Sequence, residues 1–551
     1  MSVETERTTR ADARPGATHR QDRPTGTSDF VIRWAWDLPH RFAALALMAT
    51  VFVLLYGGSL DPGPIEARLG LAASESLGPL GQVFGGWDPS VWPGQLAPSL
   101  IWAWGEGGRP TSASIRWPAA IAGVVIGLIL ARRAATTLGG RAGVLVGACW
   151  YGSLALMDRS AGAGIDLVTA LGTVAVLDRL LAGGSDLVAG IGLAWAFLAG
   201  GWPPVAVVML TTVVLGRPGS TLSVRLLAPT ALAAAAWSAW TLSVAPVDAW
   251  AAALTLPLTT GPSWWLAAGV LGLALPWSPL AALLFSRSIR EGMTTAGRPY
   301  VLGWIQVGGA CLIAGTVVPG LASAATVPAL AALAIAAAAG CDRVLDGDAE
   351  ERALRWFFGT ILALSFVATG LALGVGGAIV AAVPYYRGVC LALITFTVLA
   401  AGLAVWSASR RRPVGAVFAA VALAFILKVG HAGYYVPEWN YRQSQGPWGR
   451  AVGQWVPPNW PIYTTHTWRA DLAFATGHPV RQLLDARHLA YQPAGARFVL
   501  LLDNEYAHWP EQAPPLTRVA SFQDEHGGGR VLARTPGPLP GDRILRDGDR
   551  R

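Results

Sequence analysis

The chain has 551 residues, of which 53% are hydrophobic and only 13% are charged, against about 25% charged residues in ordinary soluble domains. This composition excludes an ordinary soluble domain, and the repeated apolar runs predict a protein that crosses a membrane many times. The net charge of +8 does not indicate nucleic-acid binding, because the arginines lie in short loops between apolar runs.

Residues 1–30 are polar, lack periodicity and are too polar for a signal peptide, so we interpret them as a disordered cytoplasmic tail. The region 31–430 then holds about thirteen apolar stretches that predict transmembrane helices. These stretches are 42–57, 117–131, 142–157, 164–183, 187–199, 202–215, 226–245, 264–285, 301–318, 321–340, 356–382, 387–406 and 414–430.

The placement of arginine predicts the orientation, since short cytoplasmic loops carry an excess of basic residues. Alternate short loops are rich in arginine, whereas the opposite short loops hold only Arg159 and Arg387. The arginine-rich loops contain Arg132, Arg133, Arg141, Arg179, Arg217, Arg225, Arg287, Arg290, Arg298, Arg343, Arg352, Arg355, Arg410, Arg411 and Arg412. The N-terminus is therefore predicted to be cytoplasmic in a bacterial-type plasma or inner membrane, with the first loop 58–116 and the residues 431–551 outside.

Two predicted helices, 187–199 and 202–215, are each short for a membrane span, since a helix rises about 1.5 Å per residue against a core of about 30 Å. The segment Gly200–Pro204 separates them. A single kinked helix would move every later arginine-rich loop outside, so the charge bias favours a hairpin of two helices.

The residues after 430 predict a small extracytoplasmic α/β domain, 431–551, whose last residues from Pro536 are disordered. A short helix is predicted at Arg469–Thr476, ended by Gly477. Strands are predicted at Trp460–Thr465, Pro479–Leu483, Ala496–Leu502, Arg518–Gln523 and Arg530–Arg534.

Cysteine and lysine are both scarce. The four cysteines lie in or at the ends of apolar runs, without metal-ligand spacing, and are predicted to be small core residues; they are Cys149, Cys311, Cys341 and Cys390. Lys428 is the only lysine, near the outer end of the last predicted span. We expect it to snorkel to the interface, with contact to a lipid phosphate as the alternative.

Four segments resemble the membrane glycosyltransferases of the GT-C fold, and within them family 39, the protein O-mannosyltransferase and aminoarabinose-transferase type. The segments follow an acidic first outer loop in the family's order. They are Ser114–Ala120, Arg159–Leu167, Phe197–Val205 and Ala470–Val480.

The resemblance implies an inverting transfer of a sugar from a polyprenyl- or dolichyl-phosphate donor to an acceptor at the outer membrane face. A first-loop acid would act as general base or position the acceptor, and the departing lipid phosphate would need cationic or metal stabilisation. The partners implied are the bilayer, the lipid-linked donor and a protein, lipid or glycan acceptor. The cofactor is unknown: a divalent metal would suit the leaving group, but no ligand spacing supports one.

The predicted catalytic residues are Glu66 and Asp61 in the first loop and Asp166 at the outer mouth of the fourth span. The family has an aspartate directly before the glutamate, but here that position is Ile65, which can neither accept a proton nor bind a metal. Glu66 paired with a neighbouring arginine, and Asp166 paired with Arg159, are the structural alternatives.

The residues predicted to bind substrate are Arg68, Arg109, Arg159, Trp87 and Trp92. Arginine clamps phosphate oxygens with two hydrogen bonds, and a sugar ring stacks on tryptophan. Arg116 is a further candidate, with interfacial snorkelling as its alternative. For most tryptophans of this loop, a membrane-interface belt is the favoured alternative.

A catalytically inactive GT-C relative that binds lipid-linked sugar, or scaffolds another membrane enzyme, is the alternative function. It is favoured by Ile65 and by two segments, Gly94–Leu100 and Ala322–Pro328, that lack the lysine or tyrosine common in the family. A transporter or flippase is disfavoured, because the sequence shows no paired interrupted helices in two matching halves.

Overall fold

The computed structural model describes much of the chain between residues 38 and 537. The described ranges are 38–56, 67, 70–71, 100, 104, 110–154, 165–183, 185–216, 223–244, 264–347, 349–431, 435, 438, 444–457, 460–465, 469–492, 495–523 and 529–537.

The first part of these residues is helical. The helices are α1 (Leu38–Tyr56), α2 (Ser112–Thr137), α3 (Gly140–Gly152), α4 (Ile165–Ala182), α5 (Asp186–Gly200), α6 (Trp202–Val214), α7 (Val224–Val244), α8 (Trp265–Leu273), α9 (Ser278–Ala281), α10 (Arg287–Glu291), α11 (Gly297–Val317), α12 (Ala322–Asp346), α13 (Glu351–Leu371), α14 (Gly377–Ala382), α15 (Arg387–Ser409) and α16 (Pro413–Gly430). A π-helical segment, Ala372–Gly376, joins α13 to α14.

Six helical stretches in the described part are long and apolar enough to cross a membrane, or seven if the bent pair α8–α9 counts as one. Three shorter apolar helices, Asp186–Gly200, Trp202–Val214 and Val224–Ala239, lie among them. A polytopic helical protein is thereby confirmed. Each of the thirteen predicted stretches overlaps a helix or a bent helix pair, but the number that span the membrane stays a prediction.

Helix α12 forms the centre of the bundle, because 11 of its 25 residues are alanines, and small side chains leave room for neighbouring helices on all sides. Within the most apolar 18-residue window of the helical stretch that contains α12, 83% is buried inside the protein. In the equivalent window of α13–α14, only 11% is buried. A Cβ atom placed on Gly308 of α11 would lie 2.8 Å from the Cβ of Ala332. Small residues therefore let these two helices approach closely, and α13–α15 lie at the periphery.

Two breaks interrupt the helical bundle. Gly201, with a φ angle of 71°, separates α5 from α6, and glycine adopts this conformation at little cost. The second break bends α8 against the segment Ser278–Phe285 by 100°. The stretch predicted as a span over 264–285 is therefore bent, with Pro276 at the bend, and whether it crosses the membrane once stays a prediction.

Charged side chains meet at one end of the bundle. Arg133 of α2 forms a salt bridge of 3.1 Å with Asp178 of α4. The Arg141 guanidinium of α3 lies 2.5 Å from Asp342 and 2.5 Å from Asp346, both on α12. We call this the arginine-rich end; it carries loops predicted to be cytoplasmic, although that orientation itself stays a prediction.

The C-terminal α/β segment follows α16. It contains α17 (Gly446–Gly453), β1 (Ile462–Thr464), α18 (Ala470–Thr476), β2 (Val480–Gln482), β3 (Phe498–Leu502), α19 (Asp503–Ala507), β4 (Thr517–Gln523) and β5 (Gly529–Arg534). The sheet order is β2-β1-β3-β5-β4. β1 pairs in parallel with β2 and β3, and β5 pairs antiparallel with β3 and β4.

All five predicted strands are present, and Gly477 ends α18 with a φ angle of 68°. The buried strand β3 lies at the middle of the sheet, with Val499, Leu500 and Leu501 fully enclosed. The sheet is thus confirmed, whereas its place outside the membrane stays a prediction.

Candidate functional site

The end of the bundle opposite the arginine-rich end begins with the first turn of α2. Thr111 and Ser114 form a capping box in which each side chain accepts a hydrogen bond from the other residue's backbone N–H, at 3.1 and 2.8 Å. The cap fixes where the helix starts and therefore places Arg116 in its second turn. Arg116 is only 5% exposed, so its predicted alternative, snorkelling to the interface, is wrong.

Lys428 lies at this same end, on the last turn of α16. Its side chain is completely buried, and its ammonium donates a hydrogen bond to the backbone carbonyl of Tyr151 on α3. The Tyr151 hydroxyl in turn donates to the carbonyl of Val124 on α2, at 2.8 Å. The expectation that Lys428 snorkels is therefore wrong: the ammonium instead helps to tie the last helix to α3. An ionisable group buried inside a membrane bundle points to a functional pocket or a specific partner.

A fragment of the first loop touches both α2 and the C-terminal α/β segment. A Cβ atom on Gly70 would lie 2.6 Å from the ring of Phe474 and 2.7 Å from Ile115. Any side chain at position 70 would displace one of them, so glycine is required by close approach here. One residue of the first loop, the start of α2 and helix α18 thus meet at this end of the bundle.

The helix that carries Phe474 is held by a buried carboxylate. The Asp471 side chain is fully enclosed and accepts hydrogen bonds from the backbone N–H of Gln445 at 3.0 Å and from the Arg469 guanidinium at 3.1 and 2.8 Å. These bonds join α18 to the chain leading into α17. The same two helices pack so closely that a Cβ on Gly449 would lie 2.5 Å from a backbone oxygen of α18.

Three buried polar atoms at this end make no hydrogen bond to any described residue: Oγ1 of Thr169 and the indole nitrogens of Trp237 and Trp277. Thr169 packs against Gly200 at the α5–α6 break, and the indole of Trp277 packs against Gly152 at the end of α3. Buried donors usually find partners. Among the described residues, these three atoms are exceptions to that rule.

Most of the predicted site residues lie outside the described residues: Glu66, Asp61, Arg68, Arg109, Arg159, Trp87 and Trp92. Asp166 is placed only through its backbone, in the first turn of α4 and one turn before Thr169. The structure therefore does not test the predicted catalytic and substrate-binding sets, and they stay predictions. Within the described part, no group of three His, Cys, Asp or Glu side chains is placed to hold a metal ion.

Sequence reasoning missed the burial of Lys428 and did not consider Asp178. The available signal for Lys428 was its survival as the only lysine in an arginine-biased chain. The signal for Asp178 was an acid inside an apolar run. All four cysteines are buried, as predicted.

The class of fold follows from the comparison with solved structures. The chain has the GT-C fold of membrane glycosyltransferases, and this coarser part of the sequence-based prediction is confirmed. The finer assignment to family 39 is not settled by the fold.

Among solved structures, the chain is similar to ArnT from Cupriavidus metallidurans bound to undecaprenyl phosphate, with a TM-score of 0.68, 16% identity, and coverage of 92% of this chain and 98% of ArnT. The apo form of that ArnT gives a TM-score of 0.64 at 16% identity, with coverage of 93% and 100%. No protein-family model matches the sequence, and the comparison with curated proteins finds no match.

Proposed function

We propose that this protein is a membrane glycosyltransferase that transfers a sugar, with inversion, from a polyprenyl-phosphate donor to an acceptor at the extracytoplasmic face. The observation that carries the proposal is the fold likeness to ArnT bound to undecaprenyl phosphate, which extends over nearly the whole of both chains. The segments that resemble family 39 support the same reaction and lie in the same order.

The reaction assigns one role to each group of residues. Glu66, assisted by Asp61 or Asp166, accepts the proton of the acceptor hydroxyl or amine while the acceptor atom forms a bond to the anomeric carbon. The bond from that carbon to the phosphate oxygen breaks at the same time, and the electron pair leaves with the polyprenyl phosphate. Because attack and departure occur on opposite faces, the anomeric configuration inverts.

The departing phosphate gains negative charge, so cations near it lower the barrier. Arg68, Arg109 and Arg159 are the proposed ligands, and Trp87 and Trp92 are proposed to stack against the sugar. Arg116 and Lys428 are further basic residues buried at the same end of the bundle. A divalent metal is not part of this proposal.

A catalytically inactive relative is the second candidate, and Ile65 is the observation that favours it. Such a protein would bind the lipid-linked sugar without turning it over, or would scaffold another membrane enzyme. The enzyme and the silent binder both predict binding of the lipid-linked sugar, so turnover distinguishes these two, whereas a scaffold predicts neither binding nor turnover.

Lipid that co-purifies with the protein tests the binding half of the proposal. The protein is purified in mild detergent from bacterial membranes, and its lipid extract is analysed by mass spectrometry. Polyprenyl-phosphate sugars should be enriched relative to an unrelated polytopic protein prepared in the same way. Equal amounts in the two extracts would argue against the enzyme and the silent binder, and would favour the scaffold.

Lys428→Met tests the role of the buried ammonium. Methionine has a similar length but neither charge nor donor, so the Tyr151 carbonyl loses one partner, at about 0.6 kcal/mol for an average interhelical bond in a membrane. We expect the midpoint of thermal unfolding to change by only a few degrees, while sugar transfer falls about a hundredfold if the charge helps to stabilise the phosphate.

The matched control for this variant is Lys428→Arg. It keeps a basic side chain but places the larger guanidinium group in a fully buried position. Transfer at the wild-type rate by Lys428→Met would show that the lysine is only a structural tie.

A further inference from the structure

A cavity of about 410 Å³ lies between α2, α4 and α5 at the arginine-rich end, away from the proposed reaction. We call it the arginine pocket. Its lining includes Arg132, Arg133, Thr136, Asp178, Arg179 and Val188. The volume is within the range of pockets that hold small ligands, about 300–1,000 Å³.

The charges of the arginine pocket are not balanced internally. Three arginines face one carboxylate, and that carboxylate is already engaged: Asp178 accepts from Arg133 at 3.1 Å and from the Tyr300 hydroxyl at 3.1 Å. Arg132 and Arg179 make no hydrogen bond or salt bridge to any side chain in the described ranges. The pocket therefore presents two guanidinium groups to an anion, and guanidinium groups bind phosphate oxygens in pairs.

The depth of the pocket matches the head-group region of a bilayer. Helix α2 has 26 residues, or about 39 Å, which exceeds a hydrocarbon core of about 30 Å. Arg132 lies five residues before the end of α2 at Thr137. Its Cα atom is therefore about 8 Å from the helix end along the helix axis, where we expect the lipid phosphates.

An apolar track leads from the pocket along the outside of α2. Leu128 is one turn before Arg132 and Ile121 is two turns further back; their side chains are 45% and 39% exposed. Positions spaced by four and seven residues share one face of a helix. From Ile121 to Arg132 the face extends about 16 Å, a length that an acyl chain can follow. Val188 of α5, at 47% exposure, borders the same opening.

We propose that the arginine pocket binds the phosphate group of an anionic membrane phospholipid, with Arg132 and Arg179 as its ligands and an acyl chain along Leu128 and Ile121. Basic pockets between transmembrane helices bind such head groups in other membrane proteins. The lipid would be a structural and regulatory ligand, distinct from the sugar donor at the opposite end. The inference stands whether or not the protein transfers sugars.

The test compares a double variant with a matched control. Arg132→Gln with Arg179→Gln removes both proposed ligands and leaves the Arg133–Asp178 bridge in place. Arg352→Gln with Arg410→Gln removes two exposed arginines outside the pocket from loops predicted to lie on the same side. Native mass spectrometry counts phosphatidylglycerol and phosphatidylcholine bound to each detergent-solubilised protein.

The unmodified protein and the control should both retain phosphatidylglycerol in preference to phosphatidylcholine. The double Gln variant should bind phosphatidylglycerol about thirtyfold more weakly, since each arginine near a lipid surface contributes about a fivefold preference. Arg132→Lys with Arg179→Lys keeps the charges and should keep most of the binding, which separates loss of a ligand from loss of the fold. Equal weakening in the control pair, or no weakening in the double Gln variant, would overturn the proposal.

Millimolar inorganic phosphate and glycerol phosphate form the second arm of the test. Neither should displace the bound lipid, because neither occupies the apolar track. Displacement by either would show that the site takes a free phosphate compound instead of a lipid, and would overturn the choice of ligand.

Discussion

Glu66→Gln is expected to slow sugar transfer by about a hundredfold to ten-thousandfold, the usual contribution of a general base. The amide keeps the size and polarity of the carboxylate but cannot accept the acceptor's proton. Since Ile65 occupies the place of the family's aspartate, no acid stands directly beside Glu66, and Asp61 is the nearest acid in the loop. The rate is measured as labelled sugar transferred from a polyprenyl-phosphate donor by membranes with equal amounts of protein.

Two further variants sharpen this result. Glu511→Gln alters an exposed glutamate of the C-terminal α/β segment and should leave the rate unchanged. Asp61→Asn shows whether the earlier acid shares the role. A Glu66→Gln protein as fast as the unmodified enzyme would remove this residue from the mechanism.

Asp471→Ala should destabilise the C-terminal α/β segment by about 3 kcal/mol, the lower end for breaking a buried ion pair. The Asp471 side chain is fully enclosed, while Arg469 is 40% exposed and can regain water. The change also leaves the backbone N–H of Gln445 without its acceptor. Hydrogen exchange of the amides in α17 and α18 should accelerate by about a hundredfold as a result.

The control for this prediction is Asp485→Ala. That carboxylate also pairs with an arginine, Arg487, but the side chains of Asp485 and Arg487 are 33% and 61% exposed, so exchange should change much less. Similar acceleration in both variants would mean that burial of Asp471 contributes little. Because α18 carries Phe474 against Gly70, the Asp471→Ala protein should also transfer sugar more slowly.

Local signals in the sequence predicted the elements well. Strands in the C-terminal α/β segment were predictable from alternation between turn residues, and Gly477 from the need for a left-handed residue after α18. The break at Gly201 was predictable because glycine and proline stand together there and the arginine bias required two helices. Each of these features depends on residues that are close together in the chain.

Long-range contacts explain what the sequence did not reveal. The Lys428 ammonium bonds to a carbonyl 277 positions earlier, and Asp178 joins Arg133 and Tyr300, which lie 45 and 122 positions away. The mean hydropathy of a span hides a single polar residue within it. The contacts of Lys428 and of Asp178 were therefore not predictable from the sequence. The 100° bend between α8 and α9 escaped notice for the same reason, although Pro276 marked its place.

For the candidate site, the structure supplies the position, whereas the family resemblance supplies the proposed chemistry. Its position at the end of α2, α3 and α16, beside α18, emerges from the structure, since Gly70, Ile115 and Phe474 meet there. The carboxylates that would perform the reaction were proposed from the family resemblance alone. The chemistry therefore depends on Glu66, Asp61 and Asp166 in a way that the fold does not test.

Turnover by the purified protein tests the central claim most directly. The protein is reconstituted in liposomes with a panel of polyprenyl-phosphate sugars and with acceptors extracted from bacterial envelopes. Release of polyprenyl phosphate should accompany transfer of sugar to an acceptor, and both should fall together in Glu66→Gln. Tight binding of a donor, with no polyprenyl phosphate released from any donor of the panel, would contradict the enzyme assignment and favour the inactive relative.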